Sequence, residues 1–209
     1  SDQLAIAIKI TLYFSIPSTI TLLFFSDFII SSLFERGSFD QASSKSVSLA
    51  LIMYSLGLPF VMIIKCFQSV FIATGKMKNI LYISIFQLIN NLILSIILME
   101  YFLHAGIALA TSISTILSFV IYLFNILKSK KLINLKYHKN LNNLLLYIIK
   151  IFILSFFMIF ILYLFQNMTD YNSGIIYLSI FTSLGILFYI FITFITKQIP
   201  HELLSKLKL

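Results

Sequence analysis

Between about Leu81 and Asn125 lie two apolar segments joined by a short turn, and each carries a single uncharged polar stripe. Ser84, Gln87, Asn91 and Ser95 recur three and four residues apart, so at roughly 100° per residue they share one narrow helical arc. Thr111, Ser114, Thr115, Ser118, Tyr122 and Asn125 do the same in the second segment. The remaining positions are mostly Ile, Leu and Phe. Such helices would aggregate in water. In a bilayer they turn their stripes towards each other or towards a wet cavity, because an unpaired polar group in hydrocarbon is costly. Composition agrees: the 209 residues are 60% hydrophobic and 11% charged, with a mean hydropathy of +1.02, whereas a soluble domain is about 25% charged. The fold class that follows is an all-α integral membrane protein.

Six stretches are long enough to cross about 30 Å of hydrocarbon as helices. They lie near residues 8–31, 47–73, 79–99, 105–127, 144–165 and 174–196. Long apolar runs without alternation do not suit a barrel. Ser1 is not a start methionine, and no basic region with a small-residue cleavage site opens the chain, so the first segment does not read as a signal peptide. The chain reads instead as the C-terminal part of something longer.

The net charge of +8 reports topology before it reports a nucleic-acid partner, and no nucleic acid is expected. Lys76 and Lys78 follow the second span. Lys128, Lys130, Lys131, Lys136 and Lys139 follow the fourth, and Lys197, Lys206 and Lys208 follow the sixth. The turns at Glu100–His104 and Gln166–Ser173 hold no Lys or Arg. By the positive-inside rule both ends face the cytoplasm, and the loops with Arg36, His104 and Asp170 face outward. The fifth and sixth spans carry far less polar surface than the first four. Residues 1–131 are therefore expected to form a four-helix portion lining something polar. Residues 132–143 would be a basic cytoplasmic linker, and residues 144–209 a lipid-facing pair with a tail.

Lys65 is the one charge well inside an expected span, sharing an arc with Tyr54, Gln68 and Ser69. At a helix centre it would cost roughly 2.5–3.5 kcal/mol on insertion scales. Two readings stay open: a cavity cation that meets an anionic substrate, or a long side chain that snorkels to the interface. The stripes likewise read either as a substrate path or as the small and hydroxyl residues that let membrane helices pack. Tyr54, Lys65, Gln68, Gln87, Asn91 and Ser118 are the substrate-cavity candidates. Cys66 is the single cysteine, which excludes an internal disulfide. His104 lacks a second ligand at metal spacing. Neither a nucleophilic triad, a phosphate-binding glycine loop nor an intramembrane carboxylate pair is recognisable, so the residues do not describe an enzyme.

Three motifs occur in order. Leu33-Phe34-Glu35-Arg36-Gly37-Ser38-Phe39 follows the first span; Tyr54-Ser55-Leu56-Gly57-Leu58-Pro59 lies in the second, which runs on through Lys65 to Phe71-Ile72-Ala73-Thr74-Gly75-Lys76; and His104-Ala105-Gly106-Ile107-Ala108-Leu109-Ala110-Thr111-Ser112 opens the fourth. Together they resemble the C-terminal half of the lipid II flippases, the MurJ/MviN family, densely from Ser31 to Lys131 and more weakly beyond. The resemblance implies the last six helices of a fourteen-helix, two-lobe exporter of the multidrug/oligosaccharidyl-lipid/polysaccharide superfamily. The implied activity is alternating-access movement of undecaprenyl-pyrophosphate-linked peptidoglycan precursor across the bacterial inner membrane for cell-wall synthesis. Its partners would be that lipid-linked anionic substrate, membrane lipid and an N-terminal lobe. In the family the terminal pair borders a groove thought to hold the lipid tail. The resemblance also places Asn91 and Thr111 at a sodium site of some members, with Ser95 where the carboxylate would be. Lacking that charge the set is a poor sodium site; no cofactor is expected, and coupling to a monovalent cation stays open. Alternatives are a sibling exporter of polysaccharide-lipid or drugs, and a structural membrane bundle.

The charge pattern makes a topological prediction. In a Cys66→Ser background, Ser129→Cys should react with an impermeant thiol reagent only from the cytoplasmic face, and Asn172→Cys only from outside. The opposite pattern would invert the orientation.

Overall fold

A computed structural model gives the fold, describing residues 2–37, 39–128, 137–168 and 174–200. Helices α1 (Asp2–Phe34), α2 (Gln41–Ser55), α3 (Leu58–Ala73), α4 (Met77–Lys128), α5 (Tyr137–Met168) and α6 (Ile175–Ile195) account for most of them. Among the described residues there is no strand. Backbone satisfaction explains why: in hydrocarbon, a helix pairs its own N–H and C=O groups without borrowing from a neighbour.

The expected segments at 8–31 and 174–196 coincide closely with α1 and α6. The segment at 47–73 is interrupted. Leu56 and Gly57 form a turn, the Gly57 N–H bonds the Tyr54 carbonyl at 3.1 Å, and Pro59 sits in the first turn of α3. Tyr54 therefore lies on α2 while Lys65 and Gln68 lie on α3, so the arc drawn through all three as one helix does not exist. Pro favours a helix start because its missing N–H is unpaired there anyway, which is the physical reason for a new helix at Leu58. Asp40 caps α2: its carboxylate accepts the Ser43 N–H at 2.9 Å, and that bond holds the carboxyl below the usual carboxylate range.

The segments at 79–99 and 105–127 run together as α4, whose 52 residues would extend about 78 Å if straight. They do not run straight. Gln87 Nε2 donates to Thr115 Oγ1 at 3.2 Å, and Thr111 Oγ1 donates to Asn91 Oδ1 at 3.4 Å. Residues twenty or more apart can meet only if the chain folds back. The reversal is at Leu103, whose backbone is left-handed (φ 52°, ψ −127°). Gly106 makes it possible, since a Cβ there would lie 2.1 Å from the Leu98 carbonyl oxygen. Among the described residues five helical stretches are long and apolar enough to cross a membrane, and the reversal divides one of them, α4, into two arms.

Antiparallel partners hold the bundle. Thr11 approaches Cys66 Sγ at 3.2 Å near one end of the α1–α3 contact, and Ser48 donates to Asp27 near the other end of α1. The second arm of α4 runs alongside α2 and α3, with Phe60 and Phe67 flanking Phe119, and Phe71 against Tyr122. Helices α5 and α6 lean on α1, where Phe25 and Phe28 both meet Phe181 edge-on. Gly185 lets α5 and α6 close up: a Cβ there would stand 3.0 Å from Leu162 Cδ1. Residues 137–143, expected in the basic linker, are helical within α5. The rest of that linker at 132–136 and the tail at 201–209 lie outside the described residues, as do Lys130 and Lys131.

Two substitutions test the reversal. Leu103 is exposed, so Leu103→Gly should relieve left-handed strain and raise stability in detergent by about 1 kcal/mol. Gly106→Ala should lower it by about 1–3 kcal/mol through overpacking. Equal, small effects at both positions in a thermal melt would contradict the hairpin.

Candidate functional site

The polar residues of α4 face one another across its two arms. Asn91 is the focus of one cluster: Ser95 Oγ donates to its Oδ1 at 3.1 Å and Thr111 Oγ1 at 3.4 Å. Thr111 also approaches the Ile107 carbonyl at 3.1 Å. One turn along, Gln87 reaches Thr115. The three residues weighed for a sodium site do converge, but all are neutral, and their oxygens are engaged with one another. Among the described residues no cluster of three or more His, Cys, Asp or Glu is placed to hold a metal.

Ser118 is fully buried and donates to the Ser114 carbonyl at 2.9 Å. This closes its hydroxyl inside the packed face of α4. Gln68 Nε2 donates to the Tyr122 hydroxyl at 3.2 Å, tying α3 to the second arm of α4. Tyr54 is about half exposed at the end of α2.

Lys65 stands on the opposite side of α3 from Ile64, Phe67 and Phe71, which are buried. Val61, Met62, Ser69 and Ile72 share its exposed face. Its side chain has no hydrogen bond or ion pair among the described residues. Ala73 ends the helix eight residues on, about 12 Å along the axis. An ammonium on a four-carbon stem spans part of that distance, so the position suits a wet face better than a deep lipid one.

Several contacts were not foreseen. Ser112 Oγ donates to the Met53 carbonyl and, at 3.3 Å, to that of Tyr54, meeting the end of α2 where the helix breaks. Tyr13, Tyr189 and Thr193 form a buried group between α1 and α6. The helix breaks themselves were the available signal, since each frees a carbonyl that needs a donor. Ser15, Thr19 and Ser32 bury hydroxyls with no hydrogen-bond partner among the described residues.

Two hollows accompany these groups. One, of about 340 Å³, opens between the arms of α4 beside Asn79, Tyr82, Phe86 and Asn125. The other, of about 350 Å³, is an apolar groove between α1, α5 and α6, bordered by Pro17, Leu22, Met158, Leu162, Phe181 and Tyr189. Its lining is almost wholly apolar, which suits a hydrocarbon chain rather than a charged head group.

The hairpin contacts can be measured by a double-mutant cycle. Gln87→Ala and Thr115→Ala together should show a coupling of about 0.6 kcal/mol, the usual size for a hydrogen bond between membrane helices. Simple additivity would mean the pair does not meet.

Comparison with known proteins places this arrangement. A profile for lipid II flippase MurJ matches residues 1–182. The lipid II flippase MurJ of Thermosipho africanus is 32% identical over 184 residues, covering 88% of this chain and 35% of that protein. A probable lipid II flippase MurJ of Buchnera aphidicola subsp. Acyrthosiphon pisum is 30% identical over 197 residues, 86% of this chain and 37% of that one. A solved structure of lipid II flippase MurJ in an inward closed conformation superposes with a TM-score of 0.73 at 31% identity, covering 93% of this chain and 38% of its own. The chain spans little more than a third of the length of these relatives. This multi-pass membrane protein belongs to the lipid II flippase MurJ family.

Proposed function

We propose that this chain supplies one side of the transport path of a lipid II flippase, moving undecaprenyl-pyrophosphate-linked sugar-peptide from the inner to the outer leaflet by alternating access. The observation that carries the reading is the superposition of 93% of the chain on a solved MurJ. The division of surfaces fits it. Lys65 offers a cation on an exposed face it shares with Ser69, where an anionic pyrophosphate can replace lost hydration with a charge-assisted hydrogen bond. The groove between α1, α5 and α6 leaves an isoprenoid tail in an apolar setting while the head crosses. Transport of this kind needs no covalent chemistry, so the protein acts as a transporter rather than an enzyme. It would work in the bacterial inner membrane, with the rest of the cavity supplied by the N-terminal lobe of the same protein. The neutral Asn91, Ser95 and Thr111 cluster lacks the carboxylate that would favour a bound sodium ion, so these residues serve to fasten the α4 hairpin.

Complementation tests the proposal. The full-length gene carrying this segment should rescue a flippase-depleted bacterium, and Lys65→Ala should reduce rescue at least tenfold in viable count at unchanged membrane levels, about 1.4 kcal/mol of lost charge-assisted binding. Failure of the inserted wild type to rescue would refute the flippase reading. Full rescue by Lys65→Ala would remove that lysine from the substrate path.

A further inference from the structure

Pro17 lies inside α1. It has no N–H to give the carbonyl four residues back, and its ring pushes that carbonyl off the helix axis. The carbonyl is that of Tyr13, which is buried. In a membrane no water stands ready to take the place of the missing donor. The donor comes from α6: the Tyr189 hydroxyl donates a hydrogen bond to the Tyr13 carbonyl at 2.8 Å. The side chain of Tyr13 returns the contact, its hydroxyl lying 2.7 Å from Thr193 Oγ1, and the two tyrosine rings meet at 5.1 Å between centroids. Thr193 in turn donates to the Tyr189 carbonyl at 2.8 Å, within α6. These groups are buried, and Tyr13, Pro17 and Tyr189 also border the apolar groove.

We propose that Tyr189 is a positioning residue: it supplies from α6 the hydrogen bond that Pro17 removes from α1, and so sets the width of the groove between α1, α5 and α6. Without that bond α1 is left with a buried, unpaired carbonyl one turn before Pro17, and the polar contact with α6 there rests on Tyr13 and Thr193 alone. The consequence for transport is indirect. Tyr189 touches no head group; it fixes the wall against which an apolar chain lies. Only this functional consequence rests on the flippase reading.

The test is a rescue. Pro17→Ala restores a donor within α1, so it should make Tyr189 dispensable. Full-length protein in liposomes, with Cys66→Ser and spin labels at Gln3→Cys and Thr196→Cys, reports the spacing of α1 and α6 alongside flipping of labelled lipid II. Tyr189→Phe should broaden the label distance distribution and slow flipping by about fivefold, the scale of one lost hydrogen bond. Pro17→Ala with Tyr189→Phe should return the narrow distribution and recover most of the rate. If Tyr189→Phe behaves as wild type, or if the double variant is as impaired as the single one, the proposal fails. If the single variant does not reach the membrane, recovery by the double variant supports the proposal and loss of both overturns it. Wild type that flips no lipid while the label distances follow the rescue pattern would refute the flippase reading and leave the joint intact.

Discussion

Every carbonyl freed by a helix break inside a membrane must find a donor from a neighbouring helix, and this requirement ties the bundle together. At Leu56 and Gly57 the chain leaves α2 and starts α3, and Ser112 of α4 donates to the Met53 carbonyl and reaches that of Tyr54, which also accepts the Gly57 N–H. Gly57 lets it approach, because a Cβ there would come within 2.9 Å of Ser112 Oγ. At Pro17 the freed carbonyl of Tyr13 accepts a hydrogen bond from the Tyr189 hydroxyl of α6. The points where helix hydrogen bonds are lost are thus also points at which helices are joined. A soluble protein could leave such carbonyls to water; here each costs the desolvation of a polar group if its partner is lost.

The polar stripes divide into two kinds of surface. Gln87 bonds Thr115 and Thr111 bonds Asn91 across the two arms of α4, Ser95 bonds Asn91 on its own arm, and Ser118 bonds its own helix. That is the packing role open to small and hydroxyl residues between membrane helices. Lys65 differs in having a charge, an exposed face and no partner among the described residues. That charge is why we propose Lys65, rather than the neutral stripe, as the group that meets an anion. The groove on the other flank has an apolar lining with no such group.

Much of the architecture was legible because hydropathy and length dominate in a bilayer. The segments at 8–31 and 174–196 fall on α1 and α6. Spacing put Asn91 and Ser95 on one stripe and Thr111 on the other, and the family resemblance singled the three out as a set. The break at Leu56–Gly57 was less legible: Pro59 signalled it, yet apolar residues on both sides concealed a change of helix, and Tyr54 was drawn onto the arc of Lys65. The pairing of Tyr13 with Tyr189 could not be read at all, because the residues are 176 positions apart. Pro17 announces that a donor is needed, but only the packing of α6 on α1 says which side chain provides it. Exposure of Lys65 likewise depends on how α3 rolls against α4, which periodicity alone does not set.

Whether Lys65 faces a wet path decides between a transport surface and a packed bundle. The most direct measurement is modification of Lys65→Cys, in full-length protein with Cys66→Ser, by an impermeant methanethiosulfonate reagent in sealed membranes. The account predicts rapid modification that added lipid II slows. A thiol at this position that stays unmodified from both faces, while a control at Arg36→Cys reacts, would put the side chain in lipid or protein and contradict it.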